Sequence, residues 1–253
     1  MYRKEAPKGW PPQGFRAELG WDFHCHLLPN VDDGMASYED AVEAIGKLKS
    51  LGFRGAVVTP HLYHGVFDNK AVDLRIAFGA FLSRLREDEI AFHLLLAGEY
   101  FADEHFLKLV EEGDLLHTPL NGERLVLLEF SYLQETPFAS AALAALVAHR
   151  YRPVVAHVER YRFVAKTPEP WLEMFARHGA VLQADIGSLS GQYGEGVKKF
   201  AHWLLDRQQV RIWGTDIHNP RQIDRHIVPG LALLNHAGRL GGGASPMLME
   251  LTT

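Results

Sequence analysis

The sequence predicts a parallel α/β barrel, closed or nearly closed, that follows an irregular arm at residues 1–19. Short apolar runs alternate seven times with amphipathic segments of helical length along residues 20–253. Because these runs are apolar on both faces, they suit buried parallel strands better than the strands of an antiparallel sheet. Seven strand and helix units without a glycine-rich phosphate loop favour a barrel over an open doubly wound sheet.

The individual elements follow from composition and end signals. The predicted strands cover residues 21–24, 55–60, 92–98, 125–130, 153–157, 180–186 and 210–216. The predicted helices cover residues 37–52, 68–90, 103–112, 138–150, 168–178, 195–208 and 220–238. In the first helix, Ser37 is a suitable N-cap, acidic residues fill the first turn, and Gly52 ends the helix. Residues 1–19 contain three prolines and no apolar period, which predicts the irregular arm.

Composition excludes several classes of function. No apolar run reaches the roughly 18 residues of a membrane span, and no signal peptide is evident, so we expect a cytoplasmic protein without membrane insertion. The single cysteine, Cys25, excludes an intramolecular disulfide framework and a cysteine-rich zinc site. A net charge of −5 without a basic block makes nucleic acid an unsuitable partner.

Potential metal ligands stand at the carboxyl end of every predicted strand. They are His24, His26, His61, Glu99, Glu129, His157, Asp185, Asp216 and His218. In a parallel barrel these strand ends converge on one face, where active sites are assembled. Imidazoles mixed with carboxylates, without a thiolate, fit Zn²⁺, Mn²⁺ or Fe²⁺ better than Ca²⁺.

The stretch His24–Cys25–His26 allows two interpretations. Side chains two apart on a strand point the same way, so the two histidines can hold one ion while Cys25 points to the other side. A phosphatase that uses a cysteine nucleophile requires an arginine six residues after it, and Val31 stands there. We therefore interpret Cys25 as a small buried hydrophobic residue.

Charge supports a metal site at the predicted barrel mouth. Asp33, Glu99, Glu129 and Asp216 would place four negative charges there, which divalent cations would offset. Three divalent ions would leave the site net positive and attractive to a phosphate dianion. The neighbouring Asp32 is an alternative to Asp33 as the ligand in this turn.

Six motifs in order resemble one known family. The segments "DFHCHLLPNVDDG", "TPHLYHG", "AGEYF", "LLEFSY", "AHVERY" and "GTDIHN" are similar to those of the PHP (polymerase and histidinol phosphatase) superfamily. They resemble specifically its manganese-dependent bacterial protein-tyrosine phosphatases, which are encoded with capsule and exopolysaccharide genes. The similarity runs from about residue 21 to residue 220. The loop after His61 is less basic than in that family, which bears on substrate preference.

This resemblance implies a distorted (β/α)7 barrel that holds three divalent ions, with Mn²⁺ expected and Fe²⁺ or Zn²⁺ as alternatives. The first ion would take His24, His26, a bridging Glu99 and Asp216. The second would take Glu99, Glu129 and His157, and the third Asp33, His61 and His218. Arg160 would hold the substrate phosphate, so that Arg160 and Asp216 are the expected catalytic residues.

The expected reaction is hydrolysis of phosphotyrosine by a hydroxide that bridges two ions, on the tail of a bacterial tyrosine kinase that controls polysaccharide synthesis. His64 or Asp185 would donate a proton to the leaving group, and His64 would also contact the substrate. Tyr63, Tyr100, Phe101 and Tyr132 would form an aromatic wall for the substrate ring, or else belong to the ordinary core. A histidinol-phosphatase-like enzyme and a non-catalytic regulator that binds phosphotyrosine are the alternatives.

Overall fold

A computed structural model describes residues 20–236 of the protein. The predicted arm at residues 1–19 and the end of the chain lie outside the described residues. Between residues 20 and 236, no helix has both the length and the apolar character needed to cross a membrane.

Strands and helices alternate along this part of the chain. The strands are β1 Trp21–Cys25, β2 Gly55–Val58, β3 His61–Leu62, β4 His93–Leu96, β5 Glu99–Phe101, β6 Thr118–Leu120, β7 Glu123–Glu129, β8 Arg152–Val155, β9 Val181–Asp185 and β10 Ile212–Gly214. The helices are α1 Tyr38–Ser50, α2 Ala71–Glu87, α3 Glu104–Glu112, α4 Ala139–Ala148, α5 Arg162–Lys166, α6 Pro168–Arg177, α7 Ile186–Ser190, α8 Glu195–Asp206 and α9 Val228–His236. A π-helical turn, Ile223–Ile227, leads into α9.

The strands form a parallel sheet that curls into a barrel with seven positions. One part has the order β1-β2-β4, and the other has the order β10-β9-β8-β7-β5-β3. Only two residues separate β2 from β3 and β4 from β5, so each pair occupies one barrel position in two halves. The seven positions confirm the predicted distorted (β/α)7 architecture.

Backbone hydrogen bonds between the ends of β1 and β10 join the first barrel position to the last. The backbone N–H groups of Thr215 and Asp216 donate to the His24 carbonyl over 3.1 and 2.8 Å. The N–H of His26 donates to the Ile217 carbonyl over 3.1 Å. We call this junction the seam. The buried Asp22 carboxylate reinforces it by accepting hydrogen bonds from the Thr215 hydroxyl and backbone N–H.

Two apolar cores lie on the two faces of the sheet. The smaller one fills the barrel interior and consists of Phe23, Val57, Ala97, Leu120, Leu125, Leu127, Val154, Ala156, Val181 and Ile212. The larger one lies between the sheet and the surrounding helices. The strands are apolar on both faces because each face packs against a different core.

The helix ends follow the predicted signals. The Ser37 side chain accepts from the N–H of Asp40 over 3.0 Å and caps α1. Asp103 caps α3 in the same way, with the N–H of Phe106 at 2.7 Å. Gly52 lies just beyond α1 with a φ of 95°, a conformation that glycine adopts without steric cost.

Several element boundaries differ from the prediction. The predicted continuous strands 55–60 and 92–98 are each interrupted, since Pro60 cannot donate a ladder hydrogen bond. The antiparallel strand β6 was not predicted, because its central residue is Pro119 and it pairs only with the start of β7. The short helices α5 and α7 were also missed, as five residues carry too little periodicity to be recognised.

Substitution of Thr215 tests the seam. Burial raises the pKa of Asp22 to about 6, although its hydrogen bonds with Thr215 oppose the shift. Its carboxyl group is thus ionised at pH 8 and protonated at pH 5, and the ionised form depends more on its donors. We expect Thr215→Val to lower the free energy of unfolding by about 1–3 kcal/mol at pH 8 and by less at pH 5, as measured by urea denaturation.

The control is Ser83→Ala, which removes an exposed hydroxyl from α2. Its effect should be small and equal at the two pH values. An equal loss at pH 5 and pH 8 for Thr215→Val would contradict the assignment of Asp22 as the ionised acceptor.

Candidate metal centre and active site

The structure brings all nine ligands that the family resemblance implied, Asp33 included, to one mouth of the barrel. Eight of them form three overlapping groups in which the donor atoms lie within 4.8 Å of one another. These groups are His24, His26, Glu99 and Asp216; His61, Glu99 and Glu129; and His26, Asp33, His61 and His218. His157 joins them through its Nε2, which lies 2.7 Å from Glu99 Oε1 and 3.8 Å from Glu129 Oε2.

The first group has the dimensions of a coordination site. His24 Nε2 lies 3.3 Å from His26 Nε2 and 3.1 Å from Glu99 Oε2. Asp216 Oδ1 lies 3.3 Å from the Nε2 atoms of both His24 and His26. Atoms about 3.3 Å apart at the corners of a tetrahedron lie about 2.0 Å from its centre, the usual distance from zinc to an imidazole nitrogen.

The second group consists of His61 at the start of β3, Glu99 at the start of β5 and Glu129 at the end of β7. Glu99 Oε2 lies 3.1 Å from His61 Nδ1, and Glu129 Oε1 lies 3.3 Å from the same nitrogen. Glu99 therefore reaches both the first and the second group with one carboxylate. Such a position suits a bridge between two cations.

The third group is the most open to solvent. Asp33 Oδ1 lies 3.5 Å from His61 Nε2 and 3.5 Å from His218 Nε2, and its side chain is 59% exposed. The hydrogen bond from His218 lowers the pKa of Asp33, which keeps the carboxylate charged.

Asp32 has a different role from its neighbour Asp33. Its Oδ2 lies 2.7 Å from His26 Nδ1 and accepts from the N–H of His61 over 3.0 Å. Its Oδ1 accepts from the N–H of Gly34 over 2.9 Å. Because Asp32 takes His26 Nδ1, it leaves His26 Nε2 to face the first group, and it acts as a positioning residue.

Unusual backbone conformations aim two of these side chains. His157 and Asp216 have φ values of 26° and 49°, which residues other than glycine adopt at a cost. Each stands two residues beyond the end of its strand, β8 or β10, and the turn directs its side chain into the mouth. Gly214 permits the close approach on the other side, since a Cβ there would lie 2.5 Å from the Cβ of His24.

Electrostatic coupling at the mouth is strong. Burial alone would lower the pKa of His24 and of His61, but the nearby carboxylates, with Glu99 foremost, outweigh it and raise both to about 9. Burial would raise the pKa of Glu99 and of Asp216, but the imidazoles hold both well below the usual range. Without a metal, protons on the histidines balance the carboxylates.

Several buried donor and acceptor atoms in the mouth have no hydrogen-bond partner among the described residues. They are Glu99 Oε2, Asp216 Oδ1, His61 Nδ1 and His157 Nδ1. Leaving a buried polar atom without a hydrogen bond is costly, and coordination of a cation would remove that cost for Glu99 Oε2, Asp216 Oδ1 and His61 Nδ1, which face the metal groups. The donor set therefore fits divalent metal ions and can bind them.

Gln183, in β9, links His24 and His157. Its role was not predicted from the sequence. Its Oε1 accepts from the N–H of His157 over 2.6 Å and lies 3.3 Å from His24 Nδ1. Its Nε2 donates to Asp185 Oδ1 over 3.0 Å. A proton on His24 Nδ1, bonded to Gln183, leaves His24 Nε2 free to coordinate.

Arg160 lies beside the first group in an aromatic frame. Its guanidinium carbon lies 4.3 Å from the Tyr132 ring centre and 4.0 Å from that of Tyr193. Its Nη1 donates to Asp216 Oδ2 over 2.7 Å, and the Tyr193 hydroxyl donates to the same oxygen over 3.0 Å. Cation–π contacts and the ion pair together fix the guanidinium at the edge of the site. Tyr193 was not recognised in the sequence.

Asp185, considered as a proton donor, lies behind Arg160. Its Oδ2 is 3.6 Å from Arg160 Nη1, and the side chain is fully buried. Burial, and then the charges of Asp216 and Glu159, raise the pKa of Asp185 well above its usual value. Glu159 anchors this segment by accepting from the Asp185 N–H over 2.9 Å and from the Ser188 hydroxyl over 2.6 Å. Asp185 thus lies beside Arg160, and proton donation by Asp185 stays a prediction.

An aromatic cavity of about 380 Å³ opens onto the second and third groups. Tyr63, Phe67, Phe101 and Tyr132 line it, and the Tyr63 and Phe101 rings stack with centres 4.0 Å apart. Tyr100, also considered for the aromatic wall, lies instead in the core, where its hydroxyl accepts from the N–H of Leu116 over 2.7 Å.

His64, expected to contact the substrate, lies away from this cavity. Its side chain is 64% exposed and its Nδ1 lies 3.1 Å from Asp68 Oδ1. Its ring stacks on that of His105 with centres 4.6 Å apart. The structure therefore groups His64 with a surface loop, and a substrate contact by His64 stays a prediction.

Cys25 follows the expectation drawn from the strand pattern. It is fully buried, and its Sγ lies 3.4 Å from the Val57 carbonyl on the face of β1 opposite the two histidines. Burial raises the pKa of its thiol well above the usual value, which suppresses the thiolate.

Comparisons with known proteins identify relatives over the whole described region. The family model of capsular polysaccharide synthesis proteins, CpsB/CapC, matches residues 20–236. The tyrosine-protein phosphatase YwqE of Bacillus subtilis is 30% identical over 84% of this chain and 83% of its own length. CpsB of Streptococcus pneumoniae, also named a tyrosine-protein phosphatase, is 28% identical over 78% of this chain and 82% of its own length.

A solved structure supports the same relationship. It comes from crystal structures of YwqE from Bacillus subtilis and CpsB from Streptococcus pneumoniae, described as unique metal-dependent tyrosine phosphatases. The similarity has a TM-score of 0.77 at 28% identity and covers 88% of this chain and 89% of the other. The sequence motifs that indicated capsule-associated phosphatases thus led to the correct family.

Metal binding should release protons. Since the pKa values of His24 and His61 are raised to about 9, both imidazoles are protonated at pH 7 in the metal-free protein and must lose those protons to coordinate. We expect Mn²⁺ affinity to rise with pH up to about 9. Isothermal titration calorimetry in two buffers with different ionisation enthalpies should give different apparent heats. His149→Ala, outside the mouth, should leave the proton release unchanged, and identical heats in the two buffers would refute the charge assignment.

Proposed function

Because the chain belongs to the CpsB/CapC family of capsular polysaccharide synthesis proteins, we propose that it is a metal-dependent protein-tyrosine phosphatase. The observation that carries the proposal is the cluster of nine histidine, aspartate and glutamate side chains at the barrel mouth, next to an aromatic cavity. The names of its relatives YwqE and CpsB support the same reaction. The chain would hydrolyse phosphate monoesters of tyrosine.

We propose three ions and Mn²⁺ as the metal, with Fe²⁺ or Zn²⁺ as alternatives. His24, His26, Glu99 and Asp216 would hold the first, Glu99, Glu129 and His157 the second, and Asp33, His61 and His218 the third. Supporting this, Glu99 lies in two of the three close groups, and mixed imidazole and carboxylate donors suit these metals. His26 also belongs to the third close group, and His61 also belongs to the second.

Within the proposed mechanism, bound divalent ions supply the Lewis acidity that makes water nucleophilic at neutral pH. The planar guanidinium of Arg160 would donate to two oxygens of the substrate phosphate as negative charge develops there. The rings of Tyr132 and Tyr193 both pack against that guanidinium, so it is oriented before the substrate arrives. Asp216 would act as a ligand that also anchors Arg160.

The aromatic cavity provides a place for the phosphotyrosine ring. Its volume of about 380 Å³ admits a phenyl group, and Glu129 and Asp216 from the metal groups lie in its wall. Offset or edge contacts with Tyr63, Phe101 and Tyr132 would favour an aromatic substrate over an aliphatic one. This selectivity distinguishes the proposal from a histidinol-phosphatase-like activity.

We further propose that the substrate is the phosphorylated tail of a bacterial tyrosine kinase that controls capsule synthesis, and that the reaction takes place in the cytoplasm. The family description, capsular polysaccharide synthesis, supports the pathway. A mouth open to solvent at Asp33 and a rim that includes Leu133 and Val66 can accept an extended polypeptide.

Substrate kinetics test the proposal. With Mn²⁺ present, we expect kcat/KM for a phosphotyrosine peptide to exceed that for histidinol phosphate by at least about 100-fold, because only the former fills the aromatic cavity. Treatment with a chelator should abolish both activities. Equal or better turnover of histidinol phosphate would favour the small-molecule alternative, and phosphotyrosine binding without release of phosphate would favour a non-catalytic regulator.

Two neighbouring substitutions separate metal chemistry from thiolate chemistry. His26→Ala removes a donor shared by two groups and should lower metal content and kcat by about 100-fold or more. Cys25→Ser should keep both within about twofold, since the sulfur lies on the opposite face of β1. Metal analysis and phosphate release measure the two quantities. Loss of activity with normal metal content in Cys25→Ser would overturn this distinction.

A further inference from the structure

A second and larger cavity lies next to the aromatic cavity. Its volume is about 740 Å³, and Asp33 and His218 line both. The far side of this second cavity carries Arg221, Arg225 and His226. We call it the basic cavity. Neither the metal groups nor the contacts of Arg160 use these three side chains.

The two arginines of the basic cavity are available to a ligand. Arg221 and Arg225 are exposed, and among residues 20–236 neither forms an ion pair. The nearby Asp224 pairs with Lys47 instead, with its Oδ2 2.6 Å from Lys47 Nζ. The chain as a whole has a net charge of −5, and two arginines without ion-pair partners beside the active site stand out against it.

The two acids in the cavity wall also have their own partners. Asp33 Oδ1 faces the imidazoles of His61 and His218. Asp40 Oδ2 accepts from the Ser37 hydroxyl over 2.8 Å at the start of α1. Both acids keep their negative charge, but each contacts partners other than the arginines. An anion would therefore find two guanidinium groups without ion-pair partners in this cavity.

The backbone that carries the arginines is tied to the metal groups. Gln222, between them, accepts through Oε1 from the N–H of His218 over 2.6 Å and from the N–H of Asn219 over 3.2 Å. The helical segment that carries Arg221 and Arg225 is thus tied to the loop that carries His218. Its π-helical turn, a feature often found at functional sites, lies between Ile223 and Ile227.

We propose that the basic cavity is a substrate subsite that binds an anionic side chain of the polypeptide carrying the phosphotyrosine. This inference rests on the proposed function, since it assumes that the phosphotyrosine occupies the aromatic cavity. An extended chain advances about 3.3 Å per residue, so a neighbour two or three residues away reaches the adjoining cavity. Arg221 and Arg225 would determine specificity for acidic sequences around the phosphotyrosine.

The anion is either a carboxylate or a second phosphate. Guanidinium groups bind both in a bidentate manner, and a phosphate offers the greater charge. A substrate with acidic residues or with a second phosphotyrosine would therefore bind better than one with neutral neighbours. The two sources are separated by peptides that contain one or the other.

Equilibrium binding of hydrolysis-resistant peptides tests the proposal. Fluorescent peptides contain one phosphonomethyl-phenylalanine flanked within three residues by alanine, by glutamate or by a second phosphonate residue. We expect Mn²⁺-loaded protein to bind at least one anionic peptide about tenfold more tightly than the alanine peptide, as measured by fluorescence anisotropy. In the double variant Arg221→Gln and Arg225→Gln this ratio should fall to about one.

Two further variants make the test specific. Replacing both arginines with lysine keeps the charge and should retain most of the ratio, whereas Arg86→Gln removes a distant exposed arginine from α2 and should leave it unchanged. A ratio of one in the wild type, or a ratio of ten that persists in the double glutamine variant, would overturn the proposal. Preference for the second phosphonate alone would identify phosphate as the anion.

Failure of the proposed function gives a different result. Metal-loaded protein is assayed separately for release of phosphate from a phosphotyrosine peptide with neutral neighbours. Absence of turnover there, together with an intact binding ratio, would overturn the phosphatase activity and support the subsite. Normal turnover with a binding ratio of one would support the activity and overturn the subsite.

Discussion

Mutual compensation of charge at the barrel mouth is the interaction on which the rest of the structure depends. Glu99 and Asp216 are fully or almost fully buried, and Glu129 lies beside them. Carboxylates removed from water in this way are stable only with cations or donors at hydrogen-bond distance. Imidazolium groups and Arg160 fill that role in the protein without metal, and divalent ions would replace the protons.

Gln183 and Asp32, which are not proposed ligands themselves, hold the ligand side chains in position. Gln183 bonds to His24, His157 and Asp185, while Asp32 orients His26 and the backbone of His61. The strained conformations at His157 and Asp216 are maintained because the surrounding strands and these bonds determine them. The metal groups are therefore prepared by contacts that do not involve a metal.

The sequence was sufficient to predict the architecture and to predict which residues meet at the barrel mouth, since strand ends in a parallel barrel must converge. It was not sufficient to predict side-chain roles that depend on rotamers and on packing between distant segments. Adjacent Asp32 and Asp33 differ only in which way each side chain points, and Tyr100 differs from Phe101 by the alternation of β5. Gln183 sits two residues before a recognised strand end, where a polar residue gives no periodic signal.

The role proposed for Arg221 and Arg225 could not be predicted from the sequence either. Their spacing of four fits an ordinary solvated helix face, and only the cavity between that helix and the loop at Asp33 gives them a shared target. The position of Arg160 between two tyrosines likewise depends on Tyr193, which follows a short helix that the periodicity could not indicate.

The seam also affects how resistant the protein is to degradation in a cell. The hydrogen bonds that close the barrel involve the backbone of His24, His26 and Asp216, three of the proposed ligands. Closure and metal loading are thus thermodynamically linked, because an ion that ties these side chains together stabilises only the closed form. When divalent metal is scarce, opening at this junction would expose the chain to proteases, so metal supply would govern the abundance of the enzyme as well as its rate.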